Sequence, residues 1–305
     1  MANDLFTLEK KFIKPEKPTF MVAGFTQWAN AGDVSSGIPE YLIEKLNARK
    51  IGHIHKDGFY FFQIPGRHYM FRPPVKYVDG YEEYYQEEAV NDFYYAEIGE
   101  TGLVIFIGTE PNQNEDVYVN TLLDGAQELG VKRIIVPSGV GFEVPFDKER
   151  LIGCTYSLKQ MRQELEDYAV SFSNYDRNAT IGMVINHYCA KRGIESVRMT
   201  ARTPSYQLSL TLASFVDKRA MYDILRRTRH MFGIDLDLSD LETESEKQNT
   251  EFENGLKKLC MENPNLESQI TTYIEQIREQ FEEIKFKEPV KIPDVFLKEL
   301  DNPQR

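Results

Sequence analysis

Thr19-Phe20-Met21-Val22-Ala23-Gly24-Phe25-Thr26-Gln27-Trp28-Ala29-Asn30-Ala31-Gly32-Asp33 is the stretch that decides the fold. Its apolar opening is entered from Pro18 and closed by the small and polar residues 29–33. A strand with one wet face would alternate apolar and polar side chains, so this unbroken run predicts a strand buried on both faces. A helix follows at once. Ile38, Leu42, Ile43 and Leu46 recur at helical spacing, Asp33, Ser35 or Ser36 can cap it, and Pro39 is tolerable only in its first turn.

Working outward, the same unit repeats. Residues 103–108 read as a second buried strand, 114–129 as a helix stopped by Gly130, and 131–137 as a third strand. Such alternation defines the α/β class, a parallel sheet covered by helices on both faces. Between the units, 51–55 and 58–63 read as a hairpin turning at Lys56-Asp57-Gly58. Farther on come helices at 158–168 and 179–192, the latter closed by Gly193, and a strand at 194–200. Helical periodicity then takes over in Leu208, Leu212 and Phe215, and again in Met221, Ile224, Leu225 and Met231. The α/β body is expected to occupy residues 1–235.

The rest of the chain changes character. Phe252, Leu256, Leu259 and Cys260 form one apolar stripe; after a turn at 261–265, Ile270, Ile274, Ile277, Phe281 and Ile284 form a second, at spacings of 4, 3, 4 and 3. The expectation is an acidic helical hairpin over 236–288, followed by an extended arm over 289–305. A narrow seam of this kind packs on the chain's own body or against another chain. Ile270, Ile274, Ile277 and Phe281 are therefore interface candidates.

The 305 residues suffice for one large domain with an appendage. Mean hydropathy is −0.46 and no apolar run reaches the ~18 residues that span a bilayer, so a membrane protein is not expected. The start of the chain has no secretory signal pattern, and three scattered cysteines give neither a disulfide framework nor a zinc knuckle, which suits a reducing cytoplasm. Net charge is −12, and residues 236–305 carry 17 acids against 9 bases. With no basic stripe to neutralise phosphates, neither nucleic acid nor anionic lipid is an expected partner.

Ligands of open α/β sheets bind beyond the carboxyl ends of the strands, so the loops after the three buried strands are the place to look for a site. Trp28, Asn30, Gly32 and Asp33 lie in the first, Glu110 and Asn112 in the second, and Gly139, Gly141 and Glu143 in the third. The first loop lacks both the GxGxxG and the GxxxxGK[ST] pattern, and its residues are also those of a tight βα turn. Glu110 and Glu143 would serve as an acid/base pair only if the fold brought them together and shifted their pKa values. His53 and His55 share a strand face, but no further ligands are evident, so no metal and no cofactor are expected. No spacing nominates a catalytic residue for nucleophilic chemistry. Residues 79–100 hold eight acids and five tyrosines and neither Lys nor Arg. They read as a surface excursion, with Tyr81, Tyr84 and Tyr85 as interface candidates.

In order along the chain, residues 21–33, Gly108-Thr109-Glu110-Pro111-Asn112, 137–145, Thr203-Pro204-Ser205-Tyr206 and 233–238 together resemble the family typified by proteasome assembly chaperone 2, over roughly residues 18–285. The acidic excursion and helical appendage look most like its bacterial branch. The resemblance implies a three-layer α/β/α sandwich similar to nucleoside phosphorylases, with a C-terminal helical appendage. It implies a homo-oligomer, a trimer being favoured, and a proteasome-related protein partner. Some proteasome-binding relatives end in a hydrophobic residue, a tyrosine and any last residue; this chain ends Asn302-Pro303-Gln304-Arg305 and departs from that pattern.

The expectation is therefore a cytoplasmic, non-catalytic, protein-binding or assembly-chaperone-like scaffold that self-associates. The first alternative is a nucleoside-phosphorylase-like or hydrolase-like enzyme with its pocket at the strand rim. The second is an ATP-dependent carboxylate-amine ligase, a label given to some relatives, although no phosphate-gripping glycine loop is present.

Overall fold

Four parallel strands make the centre of the sheet. In spatial order they are β7 (Thr101–Thr109), β2 (Thr19–Thr26), β8 (Val131–Phe142) and β11 (Glu195–Pro204). The computed structural model describes residues 5–14, 16–61, 75–85, 89–210 and 215–288. Among these, nine strands form one sheet. Beyond β7 it continues antiparallel through β6 (Asn91–Ile98), β3 (Arg49–Ile54) and β1 (Phe6–Leu8). Beyond β11 lie β9 (Ile152–Tyr156), antiparallel to it, and the two-residue β10 (Ser171–Phe172). A separate two-stranded hairpin is made by β4 (Val75–Val78) and β5 (Tyr81–Tyr85).

Strand periodicity sorts the core into two faces. In β2, Met21, Ala23 and Phe25 point to one side, where they pack with α2 (Glu115–Glu128) and α4 (Ile181–Arg192); Val22 points to the other. On that second side, α1 (Val34–Lys45) and α6 (Lys218–Phe232) cover the sheet. The result is the expected three-layer α/β/α sandwich. The remaining helices are α3 (Arg162–Glu166), α5 (Ser205–Leu210), α7 (Ser239–Glu262) and α8 (Pro264–Gln280). Leu236, Leu238 and Leu241 are buried in the same cluster as α1 and α6, so the start of α7 belongs to this core. Lys45 and the Tyr41 hydroxyl both hydrogen-bond Asp240, at 2.9 Å each, and fasten it from outside.

Several local expectations are corrected. No 51–63 hairpin forms in the described part: β3 pairs with β1 and β6, residues 58–61 are not strand, and 62–63 lie outside the described residues. Residues 79–100 are not wholly a surface excursion, because β6 is a strand of the main sheet with Phe93, Tyr95 and Ala96 buried. Of its acids, Asp92 is half-buried and paired with Lys50 while Glu97 is exposed near the strand's end, and a count of charges hides the buried aromatics between them. The predicted 158–168 helix shrinks to a 3-10 turn and the five residues of α3.

Pro39 occupies the sixth position of α1 rather than its first turn. A proline there has no N–H for the Ser35 carbonyl. Gly24 explains why the helix tolerates this so close to the sheet. A Cβ on Gly24 would stand 2.0 Å from the Ser35 oxygen, so only a bare backbone lets that carbonyl lie against β2. The cap of α1 is not any of the three expected residues. Asn30 supplies it, its Oδ1 accepting from the N–H of Ser35 at 2.7 Å and of Ser36 at 3.1 Å.

Candidate functional site

The three loops do converge, and they converge on one another. The Gly139 N–H donates to the Ala29 carbonyl at 2.9 Å, forming an isolated parallel bridge with Asn30, and the Glu110 N–H donates to the Thr26 carbonyl at 3.0 Å. A Cβ on Gly139 would lie 2.1 Å from the Ala31 oxygen. The first loop is thus laid into the gap where β2 and β8 part, and no room is left there for a phosphate. Gly32, at φ +65°, has its own reason to be glycine: a side chain would collide with Asp217, whose N–H donates to the Gly32 carbonyl at 2.8 Å.

Each remaining candidate has a definite place. Gly139 and Gly141 belong to β8, which runs on to Phe142 instead of stopping at 137. Asp33 is the residue before α1 and its carboxyl makes no cap; burial raises its pKa. Asn112 faces residues 59–61, accepting from the Phe61 N–H at 3.0 Å. Glu110 accepts from the backbone N–H groups of Trp28 and Ile181, and burial leaves its pKa raised in spite of them. Glu143 instead accepts from the Tyr273 hydroxyl of α8 at 3.1 Å. The two glutamates have no partner in common, so the acid/base pairing is not assembled. His53 and His55 do lie side by side on one face, their rings tilted by 37° with centroids 5.2 Å apart. Among the described residues no group of three His, Cys, Asp or Glu side chains comes together as a metal site.

The interface candidates divide. Ile277 is buried with Phe146, Tyr206 and Phe252, and the Arg278–Asp147 pair at 3.0 Å flanks it, so this part of the seam seats α8 on the chain's own body. Ile270, Ile274 and Phe281 are half-buried, while Tyr81 is fully on the surface. Tyr84 and Tyr85 lie in β5, and their side chains are outside the described set. Replacing Ile277 by Ala is expected to cost about 2–4 kcal/mol of local stability, since it hollows the buried contact by which α8 seats on the body. Hydrogen exchange should then rise through α8 while the sheet amides keep their protection.

What sequence reasoning missed is a buried charge network. Arg150 and Asp217 are 2% and 1% exposed and pair in a fork, with Nε to Oδ2 at 2.9 Å and Nη2 to Oδ1 at 3.2 Å. Nη1 of Arg150 also donates to the carbonyls of Pro145, Phe146 and Lys148. Next to it, Asp223 accepts from the Arg150 N–H and from Arg219, and Glu149 pairs with Arg226 and Arg227. Burial alone would raise the pKa of Glu149; hydrogen bonds from these arginines and from the Phe286 N–H reverse that and hold it below the usual carboxylate range. The only trace in the sequence was the i, i+4 and i, i+3 spacing of Arg219, Asp223 and Arg226.

Beside the closed loops lies an open cleft of about 490 Å³, bounded by the carboxyl ends of β8 and β11, by β9 and β10, and by the start of α4. Of the candidates only Trp28 and Gly141 line it; Thr180, Arg198 and Arg202 also do and were not foreseen. Burial pushes the Cys154 thiol in its wall up to about 12, so the sulfur there is neutral and not a nucleophile.

Fold and rim together define a three-layer α/β/α protein whose first βα loop is locked by backbone contacts onto the neighbouring strand. The chain belongs to the PAC2 family, whose sequence profile matches residues 24–254. Solved structures agree in fold. A PAC2 family protein from Streptomyces avermitilis is 20% identical with a TM-score of 0.64, covering 77% of this chain and 95% of its own. A proteasome-assembly chaperone homologue from Mycobacterium tuberculosis is 21% identical with a TM-score of 0.64, covering 77% and 94%. An archaeal proteasome activator from Pyrococcus furiosus is 16% identical with a TM-score of 0.59, covering 82% and 97%. No curated protein matches the chain in sequence. Among the described residues no helix is long and apolar enough to cross a membrane.

Proposed function

We propose that this chain is a non-catalytic assembly scaffold of the cytoplasm that self-associates and binds a protein partner. The observation that carries this reading is the β4–β5 hairpin. Every side chain described in it is exposed, and four are large and apolar: Val75 at 47%, Tyr77 at 60%, Val78 at 45% and Tyr81 at 79%. An isolated two-stranded hairpin is at best marginally stable in water, and its unpaired edges are templates for another strand. A second copy of the same hairpin offers both an apolar face and a matching edge. The proteasome-assembly chaperone homologue and the proteasome activator among the structural neighbours favour a proteasome-related partner, and the acidic α7–α8 hairpin is the surface we assign to it. The rim-pocket enzyme and the ligase are the rival readings; the closed first loop gives neither a phosphate-gripping turn, and the cleft beside it is lined by no carboxylate or histidine among the described residues.

The test is the mass of the particle in solution. The wild-type chain is expected to run as an oligomer at micromolar concentration by light scattering after gel filtration. Tyr77→Ser with Tyr81→Ser should shift it toward the monomer with an unchanged far-ultraviolet circular dichroism spectrum. A wild-type protein that is monomeric across this range removes the self-association reading.

A further inference from the structure

Arg198, on β11, is 5% exposed, and no ion pair or hydrogen bond joins its guanidinium to another described residue; its Nε is buried without a partner. That sets it apart from Arg150, Arg226 and Arg227, whose charges are each met by a buried carboxylate. Burial depresses its pKa to about 10, with only the Tyr175 phenol acting the other way. A buried guanidinium left alone is costly in a medium that cannot solvate it. Such a cost is ordinarily offset by a counter-charge.

The surroundings of Arg198 fit an anion. The group lies in the wall of the 490 Å³ cleft, a volume within the ~300–1,000 Å³ of small-molecule sites. It rests against the first turn of α4, where a Cβ on Gly182 would be 2.9 Å from its Cδ and 3.3 Å from its Nε. Positive partial charge gathers at that end of a helix. Thr180, one residue before α4, is 1% exposed, and its Oγ1 is a second buried polar atom with no partner lining the same cleft. Arg202 enters from the same strand, its guanidinium 4.5 Å from the ring centroid of Phe142. Trp28, Phe142 and Tyr175 line the cleft, and all three are exposed at its mouth.

We propose that this cleft binds a small organic anion, its phosphate or carboxylate held by Arg198, Thr180 and the start of α4, and its flat apolar body against Trp28, Phe142 and Tyr175. The site goes beyond the scaffold reading and is independent of it, since a bound ligand changes neither the β4–β5 hairpin nor its exposure. Phosphate and carboxylate share the recognition chemistry, and the experiment separates them.

The test uses the full chain and four probes at millimolar concentration: inorganic phosphate, adenosine monophosphate, 4-hydroxybenzoate and the neutral nucleoside adenosine. Binding is read by calorimetry and by the shift in melting temperature. At least one aromatic anion is expected to raise the melting point by several degrees, with adenosine much weaker. A response to adenosine monophosphate and phosphate identifies the phosphate source, and a response to 4-hydroxybenzoate alone identifies the carboxylate. Arg198→Met should abolish the response, and Arg202→Gln, at a half-buried position that cannot disturb the core, should weaken it about tenfold. If Arg198→Met does not fold, the Arg202→Gln result decides. No response to any anion, an equal response to adenosine, or full binding by both variants overturns the proposal.

Discussion

Asp217→Asn is expected to be among the most destabilising single changes in this protein. The substitution removes the carboxylate facing Arg150 and leaves a guanidinium that is 2% exposed without its counter-charge. Breaking a buried pair in this way costs about 3–5 kcal/mol. Asn keeps an oxygen that can still accept from the Ala220 N–H, the bond by which Asp217 caps α6 at 2.9 Å. Asp217→Ala should therefore lose about 1 kcal/mol more, the usual worth of a cap. The pair also ties together three distant segments: the turn after β8 through the Pro145 and Phe146 carbonyls, the first loop through Gly32, and α6. Urea denaturation followed by circular dichroism reads the change, with the exposed Arg162–Glu166 pair as the comparison. Arg162→Gln should leave the midpoint where it was, because an exposed i, i+4 pair is screened by water. An Asp217→Asn protein as stable as wild type would show that Arg150 is carried by its carbonyl partners alone.

Gly139→Ala is the second large effect. Alanine is a mild substitution in most strands, but here its Cβ would stand 2.1 Å from the Ala31 oxygen and 3.1 Å from Val34 Cγ2. Backbone cannot swing aside as a side chain can, so the loop must lift off β8 and give up the Gly139 to Ala29 hydrogen bond. Overpacking of this kind costs about 1–3 kcal/mol, and the lost bond adds about 1 kcal/mol. Gly153→Ala is the control. It sits two strands away on β9, where the nearest atom to a new Cβ is the Thr200 oxygen at 3.7 Å, an ordinary contact. If the two alanine variants melt together, the loop is not seated on β8 as described.

Much of the fold was legible because it rests on local periodicity. The run from Thr19 to Phe25, its repeat at 103–108 and the helical spacing of Ile38, Leu42 and Leu46 all became the elements expected of them. The site was legible only as a location. Trp28 and Gly141 do line the cleft, yet Glu110, Asn112 and Glu143 turned to three different partners, and the residue with the most telling environment, Arg198, had no signal at all. In the sequence it is one arginine in Ser196-Val197-Arg198-Met199-Thr200, indistinguishable from a solvated strand residue. The same blindness hid β6, whose Phe93 and Tyr95 become core only once β3 and β7 flank it.

The amino-acid order alone settled the α/β class, the two βα repeats and the resemblance to a family. Each of these depends on neighbours a few positions apart, or on motifs read along one line. Only tertiary structure decided that Gly139 and Ala31 meet backbone to backbone, and that Arg150 finds a carboxylate while Arg198 finds none among the described residues. A side chain's charge state, burial and partners are set by residues tens to hundreds of positions away. The energy of those encounters is written in three-dimensional contact, and no local pattern carries it.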